Sequence, residues 1–189
     1  MTMMPSHFEL QPTLRGDTVE LRPMRPEDYD AVYAAAKDPL IWEQHPDRER
    51  YKPEIFRNYF QSGIDSGGAF VVVDLASGRL IGSSRYWNYK PEESEIEVGW
   101  TFLERAYWGG ATNREIKLLM LRHAFRFVER VVFVVGEHNI RSQRAVEKIG
   151  GRRERMEPRP SPAGDERMNV IFVITRAAFE CSALAAGTT

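Results

Sequence analysis

The sequence predicts an α/β fold, in which one central mixed sheet of about seven strands is flanked by about four helices. Three strand-like segments follow one another between residues 69 and 103, which favours an antiparallel meander. A helix-like segment and a β-branched segment then alternate, and a strand–helix–strand order favours a parallel crossover. The chain of 189 residues predicts a single domain over 1–189, with residues 1–16 as a mobile lead-in.

The first half of the chain contains one predicted strand and two predicted helices. Residues 18–22 alternate in polarity like a strand, and Pro26 followed by acidic residues begins a helix over 26–37. Pro39 ends that helix, and residues 40–52 are predicted to be irregular. A second amphipathic helix over 53–66 is expected to bury Ile55, Phe56, Tyr59, Phe60 and Ile64.

Three strands are predicted over 69–74, 80–89 and 95–103, with a hairpin turn at Ser77 and Gly78. Residues 95–103 alternate cleanly, so this strand is expected to have one apolar face and one more polar face. The apolar face carries Ile96, Val98, Trp100 and Phe102, and the other face carries Glu95, Glu97, Gly99 and Thr101.

The second half is predicted to alternate between helices and strands. A helix over 113–129 precedes the β-branched strand 131–135, and a helix over 139–149 ends at Gly150. Residues 152–155 and 169–175 form a last strand pair, and a proline-rich loop over 158–164 lies between them.

Composition excludes several classes of protein. A net charge of -1 disfavours a nucleic-acid or anionic membrane partner. One cysteine and four scattered histidines predict no intramolecular disulfide and no metal site. The N-terminus carries no signal-peptide pattern, and no apolar run reaches the roughly 20 residues that a membrane span needs. We therefore expect a soluble cytoplasmic protein.

A glycine turn at residues 105–113 separates the strand 95–103 from the helix that follows it. Free backbone N–H groups and the positive end of the helix dipole at such a turn favour a phosphate ligand. The turn lacks the Lys-Ser/Thr of a P-loop and the glycine spacing of a dinucleotide fingerprint. It predicts either a pyrophosphate held by backbone amides without a metal, or a plain strand-to-helix turn with Thr112 as its N-cap.

Three motifs together resemble the GNAT N-acetyltransferases, and most closely their RimJ/RimL-like branch. They are Glu-Val-Gly-Trp at 97–100, Trp-Gly-Gly-Ala-Thr-Asn-Arg-Glu at 108–115, and Asn-Ile-Arg-Ser at 139–142 with Glu-Lys-Ile-Gly at 147–150. The resemblance covers residues 19–179, and the order of elements agrees with it. Each motif alone is weak, but three in order at the family spacing are specific.

The resemblance implies acetyl-CoA as the co-substrate, with no metal, and predicts which residues would hold it. Trp108, Gly109, Gly110, Ala111, Thr112 and Asn113 would form the pyrophosphate turn, whereas Phe102, Leu103, Asn139 and Ser142 would contact the pantetheine arm. The chain departs from the family pattern at two positions. Ala106 begins the turn where the family has Gln or Arg, and Val146 stands where many members have a tyrosine acid, which leaves Ser142 as the candidate.

Acetyl transfer to an amine requires a base for the amine and favours a hydrogen-bond donor to the leaving sulfur, and the sequence offers one candidate for each role. Glu97 is the candidate general base, directly or through water, because burial would raise its pKa into a useful range. Ser142 is the candidate donor to the thiolate sulfur. Gly99 could mark a bulge that frees a strand N–H for the thioester carbonyl. A structural carboxylate at 97 and a helix-cap serine at 142 remain the alternatives.

The histidines do not converge on one site. His45 is expected near the acceptor, His123 in the core and His138 near the cofactor. The acceptor is left open between a protein N-terminal amine and a small amine, and the protein between a monomer and a homodimer. The competing class is a non-catalytic acyl-CoA binding or sensing module.

Overall fold

The strands that the hydrophobic pattern predicts join a single eight-stranded sheet in the computed structural model, which describes residues 7–160 and 165–182. The strands are β1 (Leu14–Arg15), β2 (Val19–Pro23), β3 (Ala69–Asp74), β4 (Leu80–Lys90), β5 (Glu95–Leu103), β6 (Arg130–Gly136), β7 (Arg152–Pro160) and β8 (Glu166–Thr175). The helices are α1 (Tyr29–Ala36), α2 (Pro53–Ser66), α3 (Thr112–Ala124), α4 (Ile140–Lys148) and α5 (Arg176–Glu180).

The sheet has the strand order β1-β2-β3-β4-β5-β6-β8-β7. All neighbouring strands are antiparallel except β5 and β6, which are parallel. Their connection contains α3, as expected for a strand–helix–strand crossover. The mixed α/β class is therefore confirmed. The sheet has eight strands rather than about seven, and the fold has five helices rather than about four, because β1 and α5 are too short to leave a clear periodic pattern.

The two parallel strands separate along their length. Backbone pairing runs from Glu95 with Arg130 to Glu97 with Val132 and then stops. Beyond that point β5 continues to Leu103 and β6 continues to Gly136 without pairing with each other. Two strands that diverge in the middle of a sheet leave a gap lined by unpaired backbone groups, and such groups need a partner.

Helices cover both faces of the sheet. The apolar sides of α1 and α2 bury Val32, Phe56 and Phe60 against one face. On the other face, α3 buries Ile116 and Met120. The core of this second face also includes Val146 of α4, Ile149 directly after it, and Phe179 of α5.

A bulge in β5 overturns the predicted assignment of its faces. Arg85 pairs with Gly99 and Ser83 with Phe102, so β5 has one residue more than β4 in this interval. Trp100 absorbs the extra residue with a positive φ of 51°. Ile96 and Val98 therefore pack with α3, whereas Trp100 and Phe102 pack with α1 and α2.

Two smaller expectations also differ from the structure. Ile55 is exposed, whereas Phe56, Tyr59 and Phe60 are buried. The helix α3 ends at Ala124 rather than at residue 129. After Ala124 the chain forms a turn in which the N–H groups of Arg126 and Phe127 donate to carbonyls three residues earlier. Phe125 there packs against Phe179, and Phe127 packs against Phe8.

The expected mobile lead-in, residues 1–16, is described only from residue 7 onward. Within it, Phe8 is buried among core aromatic rings and β1 pairs with β2. Of the expected loop 158–164, residues 158–160 belong to β7 and the rest lies outside the described residues. No helix in the described part of the chain is long and apolar enough to cross a bilayer.

Candidate active site

Two adjoining cavities open where β5 and β6 diverge. The turn cavity, of about 660 Å³, lies between the glycine turn and the N-terminus of α4. The splay cavity, of about 720 Å³, lies between the diverging strands. They share one wall, which is formed by Trp42, His45, Thr101, Asn113, Asn139, Ser142, Ala145 and Ile149.

The glycine turn presents bare backbone to the turn cavity. Gly109 has a positive φ of 72°, which a residue with a Cβ rarely adopts. A Cβ placed on Gly110 would meet no protein atom within 4 Å, so the space beside this residue is open. Trp108 anchors the turn, because its Nε1 donates to the Leu103 carbonyl oxygen at 3.0 Å and its ring packs on both cores.

Most of the predicted cofactor residues surround this one cavity. Its lining includes Phe102, Leu103, Trp108, Gly109, Gly110, Asn113, Asn139 and Ser142. Ala111 and Thr112 lie in the same turn but do not line either cavity. Ala111, rather than Thr112, occupies the N-cap position of α3, and its side chain makes no capping hydrogen bond. The Leu103 carbonyl already accepts a hydrogen bond from Trp108.

Among the residues that the structure describes, basic side chains and no carboxylate line the turn cavity. Four basic side chains that the sequence analysis did not single out contribute to it: Arg114, Arg141, Arg144 and Lys148. Arg141 is held in place, because its guanidinium donates to the Ile41 carbonyl oxygen at 2.7 Å and stacks on the Trp108 ring at 4.1 Å. Together with the N-termini of α3 and α4, these cations make the cavity a favourable environment for an anion.

Asn139 sets the geometry of the α4 N-terminus. Its side-chain oxygen accepts a hydrogen bond from the Ser142 backbone N–H at 3.2 Å, which caps the helix. Buried Gln143 donates to the carbonyl oxygens of Gly136 and Glu137 and so ties the helix to the end of β6. Asn139 and Ser142 line both cavities.

Glu97 is a buried carboxylate in the splay cavity. Its residue is 6% exposed, and Arg159 Nη1 donates to its Oε2 at 3.4 Å. Burial raises the pKa of Glu97 to about 7, although the Arg159 guanidinium opposes the rise. A carboxylate with this pKa exchanges protons near neutral pH, as a general base must.

The bulge beside Glu97 is fixed by a buried tyrosine and a stacked arginine. Tyr59 Oη donates to the Trp100 carbonyl oxygen at 2.7 Å and lies 2.8 Å from Ser83 Oγ. The Arg85 guanidinium stacks on the Trp100 ring at 4.8 Å. These contacts stabilise the positive φ of Trp100 at the place where β5 leaves β6.

The three histidines discussed above lie in different environments. His45 lines both cavities, and burial together with the nearby Arg50 guanidinium lowers its pKa well below the usual value. His123 Nε2 lies 2.7 Å from the Glu9 carbonyl oxygen and packs in the core, as expected. His138 is exposed beside Glu137 and lines neither cavity, so the expectation of a cofactor contact finds no support in its position.

Sequence reasoning missed two further charged residues of the splay cavity. Arg159 reaches Glu97 from β7, a pairing between residues far apart in sequence that no local pattern signals. Lys117 of α3 is buried, although a lysine is not expected on the apolar side of a helix. Its position one turn after Asn113 is the only sequence signal that could have placed it beside the site. Within the described residues, no group of three or more His, Cys, Asp or Glu side chains could hold a metal ion.

Comparisons with known proteins agree with this geometry. The model of the family described as "Acetyltransferase (GNAT) domain" matches residues 18–152. No curated protein matches the sequence significantly.

Solved structures share the fold over nearly the whole chain. A protein from T. thermophilus assigned as an acetyltransferase is 27% identical, with a TM-score of 0.78 over 97% of this chain and 100% of that one. A GCN5-related N-acetyltransferase from Brucella melitensis is 20% identical, with a TM-score of 0.81 over 97% and 86%. Mycobacterium smegmatis RimJ in complex with CoA-disulfide is 21% identical, with a TM-score of 0.71 over 93% of each chain.

Proposed function

Because the chain belongs to the GNAT acetyltransferase family, we propose that it transfers an acetyl group from acetyl-CoA to a primary amine. The finer proposal is that the amine is a peptide N-terminus or a small-molecule amine, as in the RimJ/RimL-like branch. The likeness to RimJ, at 21% identity, supports a shared fold. The acceptor amine has to be identified by experiment.

One observation carries the proposal: the turn cavity combines four basic side chains, no carboxylate and a bare glycine backbone. A CoA molecule carries a pyrophosphate and a sugar phosphate, which need this combination of positive charge and close backbone approach. The residues present fit the co-substrate for a second reason. The open space beside Gly110 is where a ligand could reach the backbone amides.

The proposal assigns the pyrophosphate of acetyl-CoA to the glycine turn, and its pantetheine arm to the end of β5 and the start of α4. The amides of Gly109 and Gly110, at the start of α3, would hold the pyrophosphate. Phe102, Leu103, Asn139 and Ser142 would surround the pantetheine arm, which places the thioester near the shared wall of the two cavities. The Leu103 carbonyl keeps a second lone pair after it accepts from Trp108 Nε1, so the proposal shares the hydrogen bonds of the arm between Leu103, other backbone groups of β5 and Asn139.

Glu97 is the proposed general base. The attacking amine must lose a proton, and a buried carboxylate with a pKa of about 7 can accept one at neutral pH, directly or through water. In the transfer step, the nitrogen of the neutral amine bonds to the acetyl carbonyl carbon and the carbon–sulfur bond breaks. One amine proton passes to Glu97, and CoA leaves as the thiolate.

Two further roles are proposed around the reacting bond. Ser142, in the shared wall, would donate a hydrogen bond to the leaving sulfur, since Val146 leaves no tyrosine at the usual position. The bulge at Gly99 and Trp100 would direct a backbone N–H towards the thioester carbonyl. Such a donor stabilises negative charge on the carbonyl oxygen as the amine attacks.

The test is thiol release from acetyl-CoA in the presence of amines of four kinds: N-terminal peptides, amino acids, polyamines and aminoglycosides. The wild type is compared with Glu97→Gln and with Glu95→Gln as the matched control. Glu95 lies on the same strand but pairs with Arg130 and Lys90 away from the gap.

The expected result is release with one class of amine that is lost in Glu97→Gln, while both variants still bind acetyl-CoA. Tight acetyl-CoA binding without release from any amine would favour a non-catalytic sensing module. Equal loss of activity in both variants would remove Glu97 from the role of base.

A further inference from the structure

The ammonium group of Lys117 lies in the wall of the splay cavity, in the same lining as Glu97. The residue is 6% exposed, and its Nζ donates a hydrogen bond to Thr101 Oγ1. It also lies 5.8 Å from the centroid of the Phe133 ring on β6. The side chain therefore spans from α3 into the gap between β5 and β6.

Every other cation in this cavity has a carboxylate partner. Arg50 and Arg167 contact the two oxygens of Asp47 at 2.6 and 2.7 Å. Arg159 contacts Glu97 at 3.4 Å. Lys117 forms no salt bridge among the residues that the structure describes, although those other charged groups share its cavity. The lining therefore contains four cations and two carboxylates, and Lys117 is the one cation of the four that contacts neither carboxylate.

An unmatched ammonium in such a place is costly to the folded protein. Burial lowers the pKa of Lys117 to about 7, and no carboxylate opposes this shift. A buried cation regains much of the lost solvation energy only when an anion with good geometry reaches it. Two routes relieve this cost: the lysine loses its proton, or a ligand supplies the anion that no described residue supplies.

The position of Lys117 places such an anion close to the reacting bond. Asn113, one helical turn earlier on α3, lines both cavities, and so does Thr101, which accepts the lysine's hydrogen bond. A co-substrate that enters along the glycine turn would thus bring its acyl end to the wall where Lys117 lies. An acceptor that approaches Glu97 would enter the same cavity.

We infer that Lys117 is a specificity-determining residue that binds a carboxylate carried by one of the two substrates. The inference rests on the proposed acyl transfer and specifies the charge that one of its two substrates carries. The carboxylate belongs either to the acyl donor, as in the CoA thioester of a dicarboxylic acid, or to the acceptor, as in a free amino acid. A polycationic acceptor, such as a polyamine or an aminoglycoside, does not fit this cavity.

The experiment has two arms, one for each source of the carboxylate. In the donor arm, succinyl-CoA and butyryl-CoA are titrated into the protein by calorimetry, since the two thioesters differ mainly in the terminal charge. In the acceptor arm, thiol release from acetyl-CoA is measured with a set of L-amino acids and with their C-terminal amides. Both arms use the wild type, Lys117→Met and Lys37→Met, because Lys37 is an exposed lysine at the end of α1 that lines neither cavity.

In one arm, we expect the wild type and Lys37→Met to prefer the carboxylate-bearing ligand by about tenfold or more, as befits a charge-assisted contact. Lys117→Met should lose that preference in the same arm. The arm that responds identifies which substrate carries the carboxylate. Conversion of the carboxylate to an amide also changes the pKa of the α-amine. The acceptor arm therefore measures the rate of thiol release with the acid divided by the rate with its amide, and compares this ratio between the wild type and Lys117→Met.

The inference is overturned if neither arm shows a preference, or if the preference persists in Lys117→Met. These outcomes differ from failure of the proposed function. If the proposed function failed, acetyl-CoA itself would neither bind nor release its thiol with any amine. Binding of acetyl-CoA without any charge preference would leave the proposed function intact and remove only the role of Lys117.

Discussion

Glu97 and Lys117 are two buried ionisable residues of opposite type in one cavity, and burial moves both pKa values towards neutrality. It raises the pKa of the carboxyl to about 7 and lowers the pKa of the ammonium to about 7. Only the carboxyl has a partner of opposite charge, Arg159. Sequence analysis could nominate Glu97, because it lies in a recognisable strand motif. It could not nominate Lys117, because burial of a lysine depends on which helix face the fold covers.

The pH dependence of the reaction tests Glu97. A base works only when ionised, so the ratio of wild-type to Glu97→Gln activity should rise with pH through about 7 and then level off. The amine's own ionisation cancels in this ratio. Arg159, Glu95 and Glu157 are the other charges that act on Glu97. We expect kcat/KM to fall by about a hundredfold or more in Glu97→Gln above neutral pH.

The control for this profile is Glu95→Gln, which should keep a kcat/KM close to that of the wild type above neutral pH and move the midpoint of the profile to lower pH, because the Glu95 charge raises the pKa of Glu97. A ratio of wild type to Glu97→Gln that stays flat across neutral pH would show that the carboxylate does not act as the base.

The stability of the ligand-free protein tests the burial of Lys117. The pKa of this group is about 7 when folded, below the 10.5 of a free lysine, so the unfolded state binds the proton more tightly. The resulting destabilisation is full below the folded pKa and disappears as pH rises through the unfolded value. Lys117→Met should therefore raise the melting temperature by about 3 °C or more on the acid side of neutrality, and by progressively less in alkali.

Differential scanning calorimetry across this pH range measures the effect, with Lys37→Met as the control that removes an exposed charge. A melting temperature that drops in Lys117→Met at all pH values would mean that the ammonium is already satisfied within the protein.

At the scale of elements, the site is built from the ends of β5, β6, α3 and α4. The sequence predicted these elements well because each carries a strong local pattern. The strand β5 has the predicted bounds, and Asn139 caps α4. Gly99 signalled a bulge in this strand, and the register of β5 against β4 shifts directly after it. What the alternation of residues 95–103 could not reveal is that the bulge turns Trp100 and Phe102 to the other face, because Trp100 takes its positive φ from the contacts of Tyr59 and Arg85 in other elements.

Two helix caps offer a matched test of how α4 shapes the cavity. Asn139 caps α4 beside the site, and Thr175 caps α5 far from it by accepting from the Ala178 N–H. Asn139→Ala and Thr175→Ala should each lower the free energy of unfolding by about 1 kcal/mol, the usual cost of a lost cap. Only Asn139→Ala should also weaken acetyl-CoA binding, because it alone lines the cavities.

Chemical denaturation and equilibrium titration of acetyl-CoA measure the two effects separately. If both variants weakened binding equally, the effect would come from lost stability rather than from the position of Asn139.

At the scale of the whole molecule, local signals and long-range packing determine different features. The strand and helix order follows from turns, prolines and hydrophobic periods, and it leads to the mixed α/β sheet. The gap between β5 and β6 depends on how the strands pair, and the paired residues lie more than thirty positions apart. The net charge of -1 likewise does not reveal a cavity whose charged lining residues, among those described, are all basic, because charge summed over a chain carries no information about its placement.

The measurement that tests the central claim most directly is calorimetric titration of acetyl-CoA into the wild-type protein at low and at high salt. We expect one molecule to bind per chain, with an affinity that weakens as salt screens the phosphates from the four cations of the turn cavity. Absence of binding, or binding that salt leaves unchanged, would contradict the assignment of this cavity to the phosphates of CoA.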